Sequence, residues 1–195
     1  MRRAFTLVEL CVGGAILLIA LALALPDLGR WSAGLRVELA AREVAGALRH
    51  ARALALRHGA KVGVRFTLEG EGRYLYALYR DGDGDGLLTR DIESGVDPQV
   101  TPPRPLQHLG GRVGFGIPSD LRPTDPGDPR RRLGRLDDPI RLSSSDLASF
   151  NPLGGSTPGS FYLSDGGRHL FAVRLFGTTG KINVLRYDTA SERWR

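Results

Sequence analysis

Between residues 5 and 25 the chain carries one charged side chain, Glu9, in an otherwise apolar run, and no other feature constrains its architecture as much. At about 1.5 Å per residue, a helix over this run is roughly 31 Å long, which matches the hydrocarbon thickness of a bilayer. The expectation is a membrane-spanning helix. Arg2 and Arg3 precede it, so the positive-inside rule keeps the amino terminus cytoplasmic and sends everything after Pro26 out of the cytoplasm. A cleaved secretory signal would end in a small-x-small site. Here the chain reads Leu25-Pro26-Asp27-Leu28-Gly29-Arg30 and continues into an amphipathic pattern. Neither a signal nor a plain anchor explains Glu9, because a carboxylate in the bilayer costs about 2 to 4 kcal/mol without a partner.

The octapeptide Arg3-Ala4-Phe5-Thr6-Leu7-Val8-Glu9-Leu10 resembles the class III signal of type IV pilins and type II secretion pseudopilins. The resemblance implies that prepilin peptidase removes residues 1–4 by cutting between Ala4 and Phe5, and that it N-methylates Phe5. Ala4 stands where the family usually has Gly. The resemblance also implies that Glu9 pairs with the terminal amine of a neighbouring subunit. That role fits the general rule that a buried carboxylate is tolerated when a cation neutralises it.

After Pro26, the apolar residues Leu28, Trp31, Leu35, Leu39, Val44, Leu48, Ala51 and Leu54 recur at steps of three to five, close to the helical period. The opposite face carries Arg30, Arg36, Glu38, Arg42, Glu43, Arg49 and Arg52, and His58-Gly59 is a suitable stop. From Lys61 the period changes to two. Val62, Val64, Phe66 and Leu68 alternate with polar residues or glycine, and residues 69–72 turn the chain into a second strand at 73–79. Further strands are expected at 112–117, 140–143, 161–163, 169–176 and 181–187, with Gly177-Thr-Thr-Gly180 closing the last hairpin. Residues 118–139 hold five prolines, five acids and five arginines without an apolar period, the composition of a long surface loop.

The chain's 26 glycines and 12 prolines argue against a helical bundle, and 195 residues suffice for one globular domain. The expected fold class is α+β: a long amino-terminal helix (membrane half 5–25, amphipathic half 26–58) packed on an antiparallel β domain at 61–195. Cys11 is the single cysteine, which excludes an internal disulfide.

This order of elements, Tyr79-Arg-Asp-Gly-Asp-Gly-Asp-Gly86 and Gly177-Thr-Thr-Gly-Lys-Ile-Asn-Val184 are similar to the H-type pseudopilins and FimT-type minor pilins. The resemblance implies a pilin-like subunit of a type II secretion pseudopilus or type IV pilus. It would be anchored in the inner membrane by a single pass, with its globular part periplasmic or in a surface filament. Its partners would be other pilins or pseudopilins, prepilin peptidase and an inner-membrane assembly platform.

Asp81, Asp83 and Asp85 with Gly86 occupy positions one, three, five and six of a calcium loop, where alternate hard oxygen ligands wrap a Ca²⁺ ion. The twelfth position is Ile92, flanked by Asp91 and Glu93, either of which a shifted loop would bring in. A plain Asp-Gly turn is the alternative. No catalytic constellation is evident: His50, His58, His108 and His169 lack metal-ligand spacing, and Ser143-Ser-Ser-Asp146 lacks a nucleophile elbow. Assembly rather than catalysis is expected. The net charge of +6 comes from 27 basic and 21 acidic residues, and only Lys61 and Lys181 among the basic ones are not arginine. The chain ends Glu192-Arg193-Trp194-Arg195 after Arg186. Those arginines with Trp194 read either as a solvated terminus or as a contact for DNA phosphates and bases. FimT-type relatives imply the second, through natural transformation.

Overall fold

The computed structural model describes residues 6–70, 73–110, 112–142 and 147–195, excluding the side chains of residues 23–31. The leader, the cleavage residues Ala4 and Phe5, and the run from Ser143 to Asp146 lie outside the described residues. The chain divides into two compact units, residues 1–35 and 36–195.

Helix α1 spans Leu7–His58, so the two helical stretches expected on either side of Pro26 form one element. Its start is set by a reciprocal capping box. The Thr6 Oγ1 accepts the Glu9 backbone N–H at 3.2 Å, and Glu9 Oε2 accepts the Thr6 backbone N–H and hydroxyl, both at 3.1 Å. Its end is set by Gly59, whose φ of +63° is the left-handed conformation in which helices commonly terminate. In the first unit the apolar side chains from Leu7 to Leu21 are exposed. Among the described residues, no helix is long and apolar enough to cross a membrane.

The second unit is built from antiparallel strands. In chain order they are β1 (Val62–Glu69), β2 (Arg73–Arg80), the short helix α2 (Thr89–Ser94), β3 (Gln99–Pro105), β4 (Gly114–Phe115), β5 (Thr124–Asp125), β6 (Asp128–Arg132), β7 (Ile140–Leu142), β8 (Ala148–Phe150), β9 (Gly159–Ser164), β10 (Leu170–Leu175), β11 (Ile182–Asp188) and β12 (Arg193–Trp194). One sheet has the order β3-β2-β1-β8, and a second has the order β12-β11-β10-β9-β4 with β7 also paired to β9. The α+β expectation holds. The expected hairpin closes in the register Val62↔Arg80 to Glu69↔Arg73, and the second pairs β10 with β11 around Gly180.

From Arg36 onward, α1 buries Val37, Ala40, Ala41, Val44, Ala45, Leu48, Ala51 and Ala55 completely. This face joins one core with Val62, Val64 and Leu78 of the first sheet and Phe161, Leu163 and Val173 of the second. Phe161 meets Phe66 edge-on, with ring centroids 5.5 Å apart. The stripe read from the sequence holds at Val44, Leu48 and Ala51 and fails at Leu35 and Leu39, which are 42% and 37% exposed. Glu43, expected on the polar face, instead accepts the backbone N–H groups of Gln107 and His108 at 2.8 and 2.9 Å. It thereby ties the segment after β3 to the helix.

The segment 118–139 holds more order than its composition implied. It contains the β5–β6 hairpin, and Leu121, Leu133 and Leu136 pack with Tyr162, Leu170, Tyr187 and Trp194 in a second, smaller core. Burial in that core pushes the Tyr162 hydroxyl up to about 12.

Candidate functional site

The acidic segment between β2 and β3 is folded on itself by its own carboxylates. Asp81 enters from β2 with only 7% of its surface exposed, and its Oδ1 accepts the Gly84 N–H at 2.7 Å. Asp83 Oδ1 accepts the Asp85 N–H at 3.3 Å. The far end is pinned by Asp97, 1% exposed, whose two oxygens accept the N–H groups of Gly82 at 3.0 Å and Leu88 at 3.2 Å. Gly82 is required here for space, since a Cβ on it would lie 1.9 Å from the Val96 carbonyl oxygen. Sequence reasoning missed Asp97; its signal was an isolated acid directly before Pro98 at the end of a Gly-rich loop.

This folding brings Asp81, Asp83 and Asp85 together, with one ligand oxygen from each within 4.8 Å of the others. Two oxygens bound to one Ca²⁺ at about 2.4 Å can be at most about 4.8 Å apart, so the triad fits one such ion. Asp91 and Glu93, both on α2, stand outside the triad. Glu93 faces Arg65 at 3.8 Å, while Asp91 Oδ1 accepts from Arg90 Nε at 3.3 Å. Asp91 Oδ2 is buried with no hydrogen-bond partner among the described residues. The Asp85 carboxyl is raised from its ordinary value by desolvation first and then by Asp83 and Asp91, against a smaller opposing pull from Arg90. Cations also border the cluster: Lys61 Nζ lies 3.9 Å from Asp81 and Arg90 3.7 Å from Asp85.

The basic end of the chain is ordered as β12. Trp194 does not stand free: its indole N–H donates to the Thr124 carbonyl at 2.7 Å, and its ring packs 5.1 Å from Tyr187 and 6.0 Å from Tyr162. It packs against the second core and, half-buried, also lines a groove of about 690 Å³ with Arg130 and Arg193. Arg195 pairs with Asp188 at 2.8 Å. The Asp188 carboxyl is held below its ordinary value by the Ser191 hydroxyl and the Ala190 N–H, helped by Arg195. A groove of about 630 Å³ runs between α1 and β11, lined by Arg42, Arg49, Arg186 and Arg195 over Ile182 and Val184. Glu38, the acid on this groove, is held by Arg42 at 2.6 Å.

Residues 40–179 match the model of the family described as type II transport protein GspH. The chain belongs to that family. As a GspH protein it is a type II secretion pseudopilin or minor pilin, and the match is independent of the amino-terminal octapeptide, which lies outside it. Comparison with curated proteins and with solved structures returned no match. The GspH match includes the acidic loop and the 118–139 segment, whereas Arg186, Arg193, Trp194 and Arg195 fall beyond it.

Proposed function

We propose that this GspH-family chain is a subunit of a type II secretion pseudopilus that enters the filament after prepilin peptidase cuts between Ala4 and Phe5. The observation that carries this reading is the bare apolar surface at the start of α1. Leu7, Val8, Leu10, Val12, Ile16, Leu17, Leu18, Ile19 and Leu21 are each more than half exposed. Fully burying one such side chain contributes about 1.5 to 3 kcal/mol, so this helix is stable only among lipids or neighbouring helices. In this reading residues 5–25 form a single-pass inner-membrane anchor, and the β unit lies outside the cytoplasm in a pilin-like arrangement. Its partners are other pseudopilins, the prepilin peptidase and the assembly platform. The chain acts by assembly, with no catalytic role. Intact-mass analysis of membrane-extracted protein should find a mature chain beginning at methylated Phe5; a chain beginning after Leu25 would overturn the reading.

Calcium in the acidic loop belongs to the same reading. Asp81, Asp83 and Asp85 supply the converging oxygens, and the partnerless Asp91 Oδ2 is the next available donor, while Glu93 would have to leave Arg65. Calcium at about 100 times its dissociation constant stabilises the folded state by about 2.7 kcal/mol. For a unit of this size that raises the melting temperature by about 5 to 10 °C. Adding a chelator to the detergent-solubilised chain should reverse the rise, and identical melting with and without calcium would exclude the site.

DNA contact is a second reading, favoured by the grouping of Arg42, Arg49, Arg186 and Arg195 along one groove. In this reading Arg186, Arg193 and Arg195 hold phosphates, and the half-buried Trp194 offers its groove-lining face to a base.

A further inference from the structure

The turn between β9 and β10 is built around one carboxylate. Asp165 Oδ1 accepts the backbone N–H groups of Gly167 at 2.9 Å and His169 at 3.3 Å, and its Oδ2 lies 2.7 Å from His169 Nδ1. Burial pushes the Asp165 carboxyl up, but the bonds from His169 and Gly167 outweigh it and hold the group below its ordinary value. An ionised carboxylate only accepts, so the ring donates from Nδ1 and keeps Nε2 for another partner. Arg168 is exposed beside this fixed imidazole.

Strand β10 pairs with β11 so that Phe171 stands opposite Arg186, which brings the turn beside the end of β11. Arg168, His169, Arg186 and Thr189 line one recess of about 360 Å³ there. Neither Arg168 nor Arg186 has an acidic partner among the described residues. Asp188 also lines the recess, but its charge is already neutralised: its oxygens accept the Ala190 N–H at 3.0 Å, the Ser191 hydroxyl at 2.9 Å and Arg195 at 2.8 Å. Arg186 borders the groove beside α1 as well, whereas Arg168, His169 and Thr189 belong to this recess alone.

The donors lining the recess distinguish among anions. A carboxylate has about four acceptor sites, which two bidentate guanidinium forks fill, leaving the imidazole and the hydroxyl unused. A terminal phosphate brings a third oxygen. The phosphodiesters of duplex DNA have two unesterified oxygens each and do not supply it.

We propose that this recess binds a terminal phosphate group. Arg168 and Arg186 pair with two of its oxygens, and His169 Nε2 and the Thr189 hydroxyl serve the third. The group arrives either on a lipid headgroup or as a soluble phosphate.

The test uses the full chain in an uncharged, phosphate-free detergent, read by backbone amide shifts. Inorganic phosphate should saturably shift the amides of residues 165–169 and 186–189, and sodium chloride at equal ionic strength should shift them at least tenfold less. Arg168→Gln combined with Arg186→Gln should weaken phosphate at least tenfold, while Arg49→Gln, in the groove beside α1, should change it less than twofold. Both replaced arginines of the double variant are exposed, so the fold survives. Short-chain phosphatidic acid is the second arm. Tighter binding than inorganic phosphate assigns the lipid source, and equal or weaker binding assigns the soluble one; each upholds the recess. The proposal would be overturned if neither probe gave a saturable shift, if sodium chloride matched phosphate, or if the double variant bound like the parent. Tighter binding of dimethyl phosphate than of inorganic phosphate would also overturn it, and would return Arg186 to the DNA reading.

Discussion

Replacing Phe161 with alanine should lower the unfolding free energy of the β unit by about 3 to 5 kcal/mol, the range for large aromatic truncations in a core. Phe161 is fully buried at the middle of β9, flanked by Ile140 on β7 and Val173 on β10. Its ring lies 5.5 Å from Phe66 and 6.3 Å from Phe115, so truncation removes two aromatic contacts as well as volume. With a total stability on the order of 5 to 15 kcal/mol, such a loss is a large fraction of the whole. Urea unfolding should show a much lower midpoint. Leu39→Ala, at a position 37% exposed, should change the same midpoint by less than about 0.5 kcal/mol equivalent. Equal losses in the two variants would mean that the face α1 turns to the sheets had been misassigned.

That pair of variants separates what the sequence discloses from what it hides. The alternation of Val62, Val64 and Phe66 announces a half-buried strand, and β1 and β2 lie where it places them. The buried face of α1 was legible only in part, at Val44, Leu48 and Ala51, because most of it is alanine. Ala40, Ala41, Ala45, Ala51 and Ala55 contribute little hydropathy each, yet their small size lets the helix approach the sheets closely, and the larger Leu35 and Leu39 are left outside. β3 was hidden by Pro102, Pro103 and Pro105, which interrupt any strand pattern; the strand tolerates them because it is the edge of its sheet. In the acidic loop, a spacing of two placed Asp81, Asp83 and Asp85 together, but nothing in that spacing discloses that α2 turns Glu93 toward Arg65. Trp194 is a different case, because the sequence left a solvated terminus and a nucleic-acid contact both open. Nearness to a chain end is no guide to burial, and only the tertiary contact with Thr124 shows that the ring is packed.

The largest effect on assembly is expected at Glu9, which has two separable roles. Within the chain it completes the capping box with Thr6, worth about 0.5 to 2 kcal/mol of local helix stability. Within the proposed filament, its charge neutralises the terminal amine of the neighbouring Phe5. Glu9→Gln keeps a side-chain oxygen able to accept the Thr6 N–H, so the cap survives while the charge is lost. Glu9→Ala removes both. Each variant should insert into membrane at least as well as the parent, because a carboxylate costing about 2 to 4 kcal/mol in the bilayer is gone. Each should enter sheared filaments at least tenfold less than the parent, measured by quantifying the subunit in filament and membrane fractions, because a buried cation left without its counter-ion is strongly unfavourable. Parental assembly of Glu9→Gln alongside failure of Glu9→Ala would assign the contribution of Glu9 to helix capping and remove the intersubunit ion pair from the proposed function.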